Sequence, residues 1–368
     1  MSIHRIWKVL VGVMMLFLII PKASAQLDSL TMEWWESLDS TWQERFRNQA
    51  NLRYHVSVDE FKKLYDLKKI DCSGINEYGE EVAITTLEPL KFLDNLIDVD
   101  CSYAQIFDLR PLTNLKKLRK LNISSTNTQD LSPLAAITSL RELYCANTLV
   151  RTLEPIKNLK HLTVLDLFEC RLKDYNSISY FTNLKMLDLQ HTRIPNLEPV
   201  ANLTKLEELE FAETRISDLT PIAHLKRLKK LEFFKTKVTS LDPIIHLTHL
   251  EFININQTKI TSLSPLKNLK RLKIIYASNT LIESLEPLKY HRNLYEITFS
   301  HTKVASLEPL KRLPKLSIII CTDTMIESLE PIIWLRSISI LYCRDSKVSE
   351  EEMEKFQKLH PKCETDYF

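Results

Sequence analysis

The sequence predicts an α/β solenoid, a horseshoe of about 13 coils with a parallel β-sheet on its concave side and a helical cap at each end. Three observations predict it. A four-residue motif recurs every 22 residues, leucines beside it alternate with the period of a half-buried strand, and amphipathic segments flank the array on both sides.

The motif is Leu109-Arg110-Pro111-Leu112. One step of 22 backward reaches Leu87, and steps forward reach Leu131, Leu153, Tyr175, Leu197, Leu219 and so on to Leu329, twelve tetrads without an insertion or deletion. Eleven of the 15 prolines stand in its third position, and only Ser177 departs. Around residue 120 the unit reads Leu118, Leu121, Ile123, Thr126, Leu131 and Leu134, the pattern LxxLxLxxTx(I/V)xxLxPL. Leu121 and Ile123 are two apart, the spacing of a strand with one face inward. One strand and one turn cannot bury an apolar face alone, so neighbouring coils must stack. Proline stiffens the return side, where no sheet partner needs its missing N–H. The threonine column, at 126, 148, 192, 214, 236, 258, 280, 302 and 324 with Cys170 and Ser346 as variants, places a hydroxyl where the bend after the strand needs a hydrogen bond. A period of 20 to 29 residues with this spacing of leucines is that of a leucine-rich repeat.

On these residues the chain resembles bacterial leucine-rich-repeat proteins of the internalin type, whose 22-residue units carry LxxLxLxx(N/T)xIxDLxPL. Asp130-Leu131 and Asp218-Leu219 keep the aspartate of that pattern. The resemblance covers roughly residues 60 to 350 and implies the solenoid fold and a binding role. No LPxTG motif follows the repeats.

Taken in order, residues 1–25 read as an export signal: Arg5 and Lys8, the apolar stretch Val9 to Ile20, then Ala23-Ser24-Ala25. Twelve apolar residues are fewer than the roughly 20 needed to span a bilayer. The expected product is exported, periplasmic or secreted, with no stable membrane insertion after cleavage. Residues 26–66, with Trp34, Trp35, Trp42 and Phe46, form a helical N-terminal cap, and residues 67–348 form the solenoid. The first coil, Leu67 to Cys72, is followed by a loop about seven residues longer than the norm that holds Gly74 and Gly79. Residues 349–368 form the C-terminal cap and tail. There Ser349 and Glu352 open a capping box, and Met353, Phe356 and Leu359 share one helical face before Pro361.

Composition excludes several functions. Loss of residues 1–25 takes the formal net charge from +2 to −1, unlike the basic balance of nucleic-acid binders. Only two glycines remain, too few for a phosphate-cradling loop. Cys72, Cys101, Cys145, Cys321 and Cys343 share the Ile123 column and read as small core residues. The pairs 72/101 and 321/343 lie on adjacent coils, which leaves a disulfide open. His246 and His249 have an HxxH spacing without a third ligand, and His291 stands where Leu269 and Leu313 stand in neighbouring coils. No metal, cofactor or catalytic triad is expected.

The outward column aligned on Asn122 runs Tyr144, Asp166, Asp188, Glu210, Glu232, Asn254 and Tyr276 across successive coils. Four acids at one height repel one another. Arg171, Arg193, Arg215, Lys237 and Lys259 are expected to soften that repulsion as a solvated face, or the row binds a cationic or mixed-charge protein. Phe168 and Phe234 would then act as anchors, with Gln190 and Ala212 between them. The unit with Cys170, Tyr175, Ser177 and Tyr180 is the most irregular and adjoins this row. The expected function is a non-enzymatic, adhesin-like protein-binding scaffold that uses Tyr144, Asp166, Phe168, Asp188, Glu210, Glu232, Phe234 and Tyr276. The alternative is a glycan-binding module with Tyr144, Phe168, Phe234 and Tyr276 as stacking platforms. Paired carboxylates also suit glycoside hydrolysis, but an open sheet has no pocket to raise one pKa.

Overall fold

The computed structural model describes residues 30–75 and 79–366, so the export segment expected at 1–25 lies outside the described residues. Contacts group the chain into two compact units, residues up to Leu140 and residues from Arg141. Their described residues carry fourteen three-residue strands, one for each coil and one more.

The first unit opens with helices α1 (Met32–Glu36) and α2 (Ser40–Ala50), whose N-termini are capped by Thr31 Oγ1 and Asp39 Oδ1. A 3-10 turn, Val58–Glu60, leads into α3 (Phe61–Tyr65). Trp35, Trp42, Phe46, Phe61 and Leu64 are buried here, so the aromatic stripe forms a core. Strands β1 (Lys69–Asp71), β2 (Asp98–Asp100) and β3 (Lys120–Asn122) then pair in parallel. An edge strand leaves backbone groups unpaired. The α2 carboxamide covers them on β1: Asp71 N donates to Gln49 Oε1 at 2.7 Å, and Gln49 Nε2 donates to Asp71 O at 2.5 Å. In the long loop a Cβ on Gly74 would fall 2.0 Å from Tyr103 O, so only glycine fits.

The second unit holds β4 (Glu142–Tyr144), β5 (Val164–Asp166), β6 (Met186–Asp188), β7 (Glu208–Glu210), β8 (Lys230–Glu232), β9 (Phe252–Asn254), β10 (Ile274–Tyr276), β11 (Glu296–Thr298), β12 (Ile318–Ile320) and β13 (Ile340–Tyr342). They pair in chain order, all parallel and in a 22-residue register. Helix α4 (Glu350–Leu359) follows, and then a strand the leucine pattern does not announce, β14 (Glu364–Asp366), adds to β13.

Each coil has the same anatomy. The middle residue of the strand and the residue two further on are buried, as with Leu165 and Leu167. The LxPL tetrad forms a 3-10 turn with proline in its first two positions, as in Glu198–Val200, where the fixed φ of proline suits the tight helix. Nine threonine hydroxyls donate to the carbonyl three residues earlier, from Thr126 to Ile123 O at 2.7 Å through Thr324 to Cys321 O at 2.8 Å. The residue just before this column is left-handed in twelve coils, with φ from 49° to 60° between Tyr103 and Asp345, and in none of them is it glycine.

The C-terminal cap differs from expectation in two respects. Ser349 Oγ accepts from Glu352 N, but the Glu352 carboxylate, instead of closing a capping box, accepts from Ser328 Oγ at 2.6 Å. Leu359 is 49% exposed, and His360 takes its place under the helix, stacked on Phe356 with centroids 4.3 Å apart and with Nε2 2.9 Å from Ile333 O.

His291 is fully buried, with Nδ1 3.2 Å from Leu288 O and Nε2 3.1 Å from Leu266 O. A neutral imidazole has one N–H, so it satisfies only one of these contacts. Burial, then the charge of Lys270, push its pKa down and keep it neutral. Both carbonyls already accept backbone N–H groups, from Leu269 and His291. His291→Leu is therefore expected to stabilise the protein by about 1 kcal/mol at neutral pH. The advantage should grow below pH ~6.5, where the unfolded histidine binds a proton that the native one does not. Denaturant unfolding of both proteins at pH 7.5 and pH 5.5 measures it.

Candidate functional site

Parallel pairing in a 22-residue register sets the row. Tyr144, Asp166, Asp188, Glu210, Glu232, Asn254 and Tyr276 end β4 to β10 and lie directly opposite one another in the ladder. Successive members are thus about 4.8 Å apart. Phe168 and Phe234 stand two residues beyond the row on coils three apart, with Gln190 and the fully buried Ala212 between them. The strand face gathers all eight expected residues, although the two phenylalanines do not touch.

The four acids do two different jobs. Asp166 Oδ1 accepts from Phe168 N at 2.9 Å, and Asp188 Oδ1 accepts from Gln190 N at 2.8 Å. Asn254 does the same for Asn256 N, as Asp100 and Asn122 do in the first unit, so a short Asp or Asn at this height closes the end of its own strand. Glu210 and Glu232 are one carbon longer and reach sideways. Lys230 Nζ sits between them, 2.7 Å from Glu210 Oε1 and 2.8 Å from Glu232 Oε1. Gln190 Nε2 donates to Glu210 Oε2 at 2.5 Å and to Asp188 Oδ2 at 3.4 Å, and Asn254 Nδ2 donates to Glu232 Oε2 at 3.3 Å. The row is a continuous polar network from Asp188 to Asn254.

Burial dominates its electrostatics. Asp188 is 9% exposed and Glu210 is 8% exposed. Burial pushes the Asp188 carboxyl up to about 7 against the Gln190 N–H bond, and the charges of Asp166 and Glu210 add to the rise. Burial also raises Asp166, and it raises Glu210 despite Lys230. For Lys230, burial opposes the charge, but the hydrogen bonds to Glu210 and Glu232 outweigh it and hold the ammonium above its ordinary range. This corrects the expectation that an open sheet leaves its carboxyls unshifted: side-by-side neighbours on the strand face bury Asp188. Lys230 also replaces the loop cations expected to relieve the row.

The ends of the row are anchored phenols. Tyr144 Oη donates to Glu142 Oε2 at 3.2 Å. Burial, then the hydrogen bond to Glu296, push Tyr276 up to about 12. Tyr276 packs edge-on to Phe252 at 5.3 Å, Phe168 packs edge-on to His191 at 5.0 Å, and Lys230 lies 5.6 Å from the Phe252 centroid. Lys230 and Phe252 belong to the site but were missed. The signal was present: Lys230 is the one cation at the first position of β4 to β14.

The irregular neighbouring coil has a structural explanation. Cys170 Sγ turns to Cys145 O at 3.0 Å, and Tyr175 Oη donates to Cys170 O at 3.2 Å while accepting from Arg193 N at 3.0 Å. Elsewhere that N–H donates to a carbonyl of the preceding coil, as Lys237 N does to Ile216 O. Cys170 and Tyr175 compensate each other, so the irregularity lends no support to a site. All seven cysteines are free thiols, with Cys72 and Cys101 Sγ 3.3 Å apart. Among the described residues no three His, Cys, Asp or Glu side chains could hold a metal, and no helix is long and apolar enough to cross a membrane.

A family model for pairs of leucine-rich repeats matches residues 182–225, 226–268 and 248–290. A comparison with curated proteins finds no significant match. Among solved structures the chain is similar to an internalin, InlF, of Listeria monocytogenes, at 24% identity over 90% of this chain and 95% of that one, with a TM-score of 0.78. It is similar to the functional domain of InlJ from the same organism, at 18% identity over 90% and 79% of the two chains, with a TM-score of 0.63. It is also similar to the plant peptide hormone receptor RGFR1 in complex with RGF2, at 17% identity over 80% and 52%, with a TM-score of 0.60. The chain carries leucine-rich repeats and has the solenoid fold of the internalins.

Proposed function

We propose that this leucine-rich-repeat solenoid is an exported, non-enzymatic scaffold, adhesin-like in character, that captures a protein partner of cationic or mixed charge between Tyr144 and Tyr276. The observation that carries the reading is the row itself. Of four carboxyls in register, Glu210 and Glu232 share one lysine, and Asp188 keeps its proton up to about pH 7 because burial among its neighbours disfavours its charge. A cationic side chain laid on the row relieves that crowding. Phe168 and Phe234 flank the acids as half-buried rings of the kind that anchor interfaces. A plant protein of the same fold is a receptor for a peptide hormone, which supports a protein or peptide ligand. Catalysis is disfavoured because both Asp188 oxygens already accept hydrogen bonds on an open face.

The test is crosslinked pull-down of residues 26–368 from the native surroundings, beside Asp188→Asn/Glu210→Gln, which keeps shape and removes charge. The same partner should bind the variant at least about tenfold more weakly, the equivalent of about 1.4 kcal/mol. Binding to the parent protein should weaken below pH 6, where Asp188 is protonated. A partner held equally by both proteins overturns the site. A glycan array that retains neutral sugars, with no protein captured, supports the stacking-platform alternative instead.

A further inference from the structure

A second surface lies where each coil of the second unit re-enters its strand, between the 3-10 turn and the ladder. The nine seven-residue segments from 157–163 to 333–339 hold seventeen Lys and Arg against two acids, Glu207 and Glu251, in a chain whose formal net charge is only +2. Both acids are occupied by Lys185, Lys229 and Lys273. Lys289 and Lys311 pair with the glutamates of their own 3-10 turns. What remains is a stripe of exposed cations. Lys226, Arg227, Lys270, Arg271 and Arg292 have no ion-pair partner among the described residues, and Lys315 donates only to the neutral Asn293 amide at 2.9 Å.

The stripe is built from coil geometry. Leu269 and Leu272 turn inward, so the two residues between them, Lys270 and Arg271, must face out, and the 22-residue step repeats that height in every coil. From Lys226 to Lys315 it spans four coil steps, about 19 Å at ~4.8 Å each. Like charges crowd along it. Burial, then the charge of Lys267, lower the pKa of Lys270. Tyr290 lies within the stripe with Lys270 Nζ 5.6 Å and Lys289 Nζ 5.3 Å from its ring centroid.

We propose that this stripe binds a linear acidic polysaccharide, its carboxylate or sulfate groups meeting the cations along the stripe. The line of charge puts one or two unneutralised cations on four of its five coils, with Thr248 and His249 at that height in the fifth, and it matches an extended chain that carries anions along its length. Nucleic acid fits less well, because single strands bind by stacking bases on aromatic faces and the Tyr290 ring is already covered by two ammonium groups. The inference is independent of the strand-face reading, since none of its residues belongs to the carboxylate row.

The test titrates residues 26–368 with heparin and with polygalacturonate by calorimetry at about 50 and 200 mM salt, beside Arg227→Ser/Lys270→Ser/Arg271→Ser. All three substituted side chains are exposed, and circular dichroism should report an unchanged fold. At least one polysaccharide should bind at low salt and weaken at least about tenfold at high salt. The triple variant should lose at least about tenfold in affinity and show a shallower salt dependence, while Asp188→Asn/Glu210→Gln binds as the parent does. Failure of both polysaccharides to bind, equal binding by the triple variant, or tighter binding of a single-stranded RNA or of phosphatidylserine vesicles overturns the proposal.

Discussion

Asp188→Asn is expected to stabilise the protein by about 2–4 kcal/mol at pH 8 and by almost nothing at pH 4. Burial and two neighbouring carboxyls raise the Asp188 pKa from 3.8 to about 7 in the folded chain, and each unit corresponds to about 1.4 kcal/mol. The native state therefore binds a proton that the unfolded state has released between pH ~4 and ~7. Stability falls as pH rises through that window, and the deficit is complete above the folded pKa. Asparagine removes the charge and keeps the oxygen that accepts from Gln190 N, as Asn122 and Asn254 already do at this height. Urea unfolding of parent and variant at pH 4, 6 and 8 should show a gap that widens with pH. A gap that stays constant would assign the effect to packing instead of charge.

Phe233→Ala is expected to cost about 3–5 kcal/mol, the range for deleting a fully buried ring that leaves a cavity. Phe233 has no exposed surface and stacks on Phe211 of the preceding coil with centroids 5.5 Å apart and planes 7° from parallel. In a stack of coils the coupling between neighbours carries much of the stability. The loss should therefore appear as a lower unfolding midpoint and also as a transition that splits, because coils on either side of β8 unfold separately. Phe233→Leu, which keeps most of the volume, should cost less than about 1.5 kcal/mol and leave a single transition. Equal effects of the two substitutions would show that retained hydrophobic volume does not suffice and that the stack of the Phe233 ring on Phe211 itself couples the coils.

The coil was legible because its period is strict. Leucines at 118 and 121, the threonine at 126 and the proline at 133 each mark a column that keeps its residue type in most coils, and repetition turns weak local preferences into one register. Strand β14 was not legible: Glu364-Thr365-Asp366 has no apolar alternation, and only pairing to β13 makes it a strand. The left-handed column was hidden for a similar reason. Tyr103, Glu169 and Lys235 carry no turn signal, and the surrounding coil imposes their φ. In the strand-face row the position of every acid could be read, but burial could not. The recurrence of short Asp and Asn at 100, 122, 166, 188 and 254 was the overlooked clue that part of that column closes strands. Lys230 escaped because its column, one strand position earlier, is otherwise apolar or acidic from Glu142 to Glu364.

The threonine hydroxyls have a consequence for how such an array changes length. Each donates to a carbonyl only three residues back, inside its own coil, and apart from Thr148, whose Oγ1 also lies 3.5 Å from Cys170 Sγ of the next coil, these bonds do not draw on the coil above or below. A segment of 22 residues therefore brings its own bend chemistry wherever it is inserted. Duplication or loss of one regular unit by unequal recombination leaves these hydroxyls bonded and shifts no register. Lineages can lengthen or shorten the ladder in whole rungs, moving its charged surfaces nearer together or further apart without redesigning a single turn.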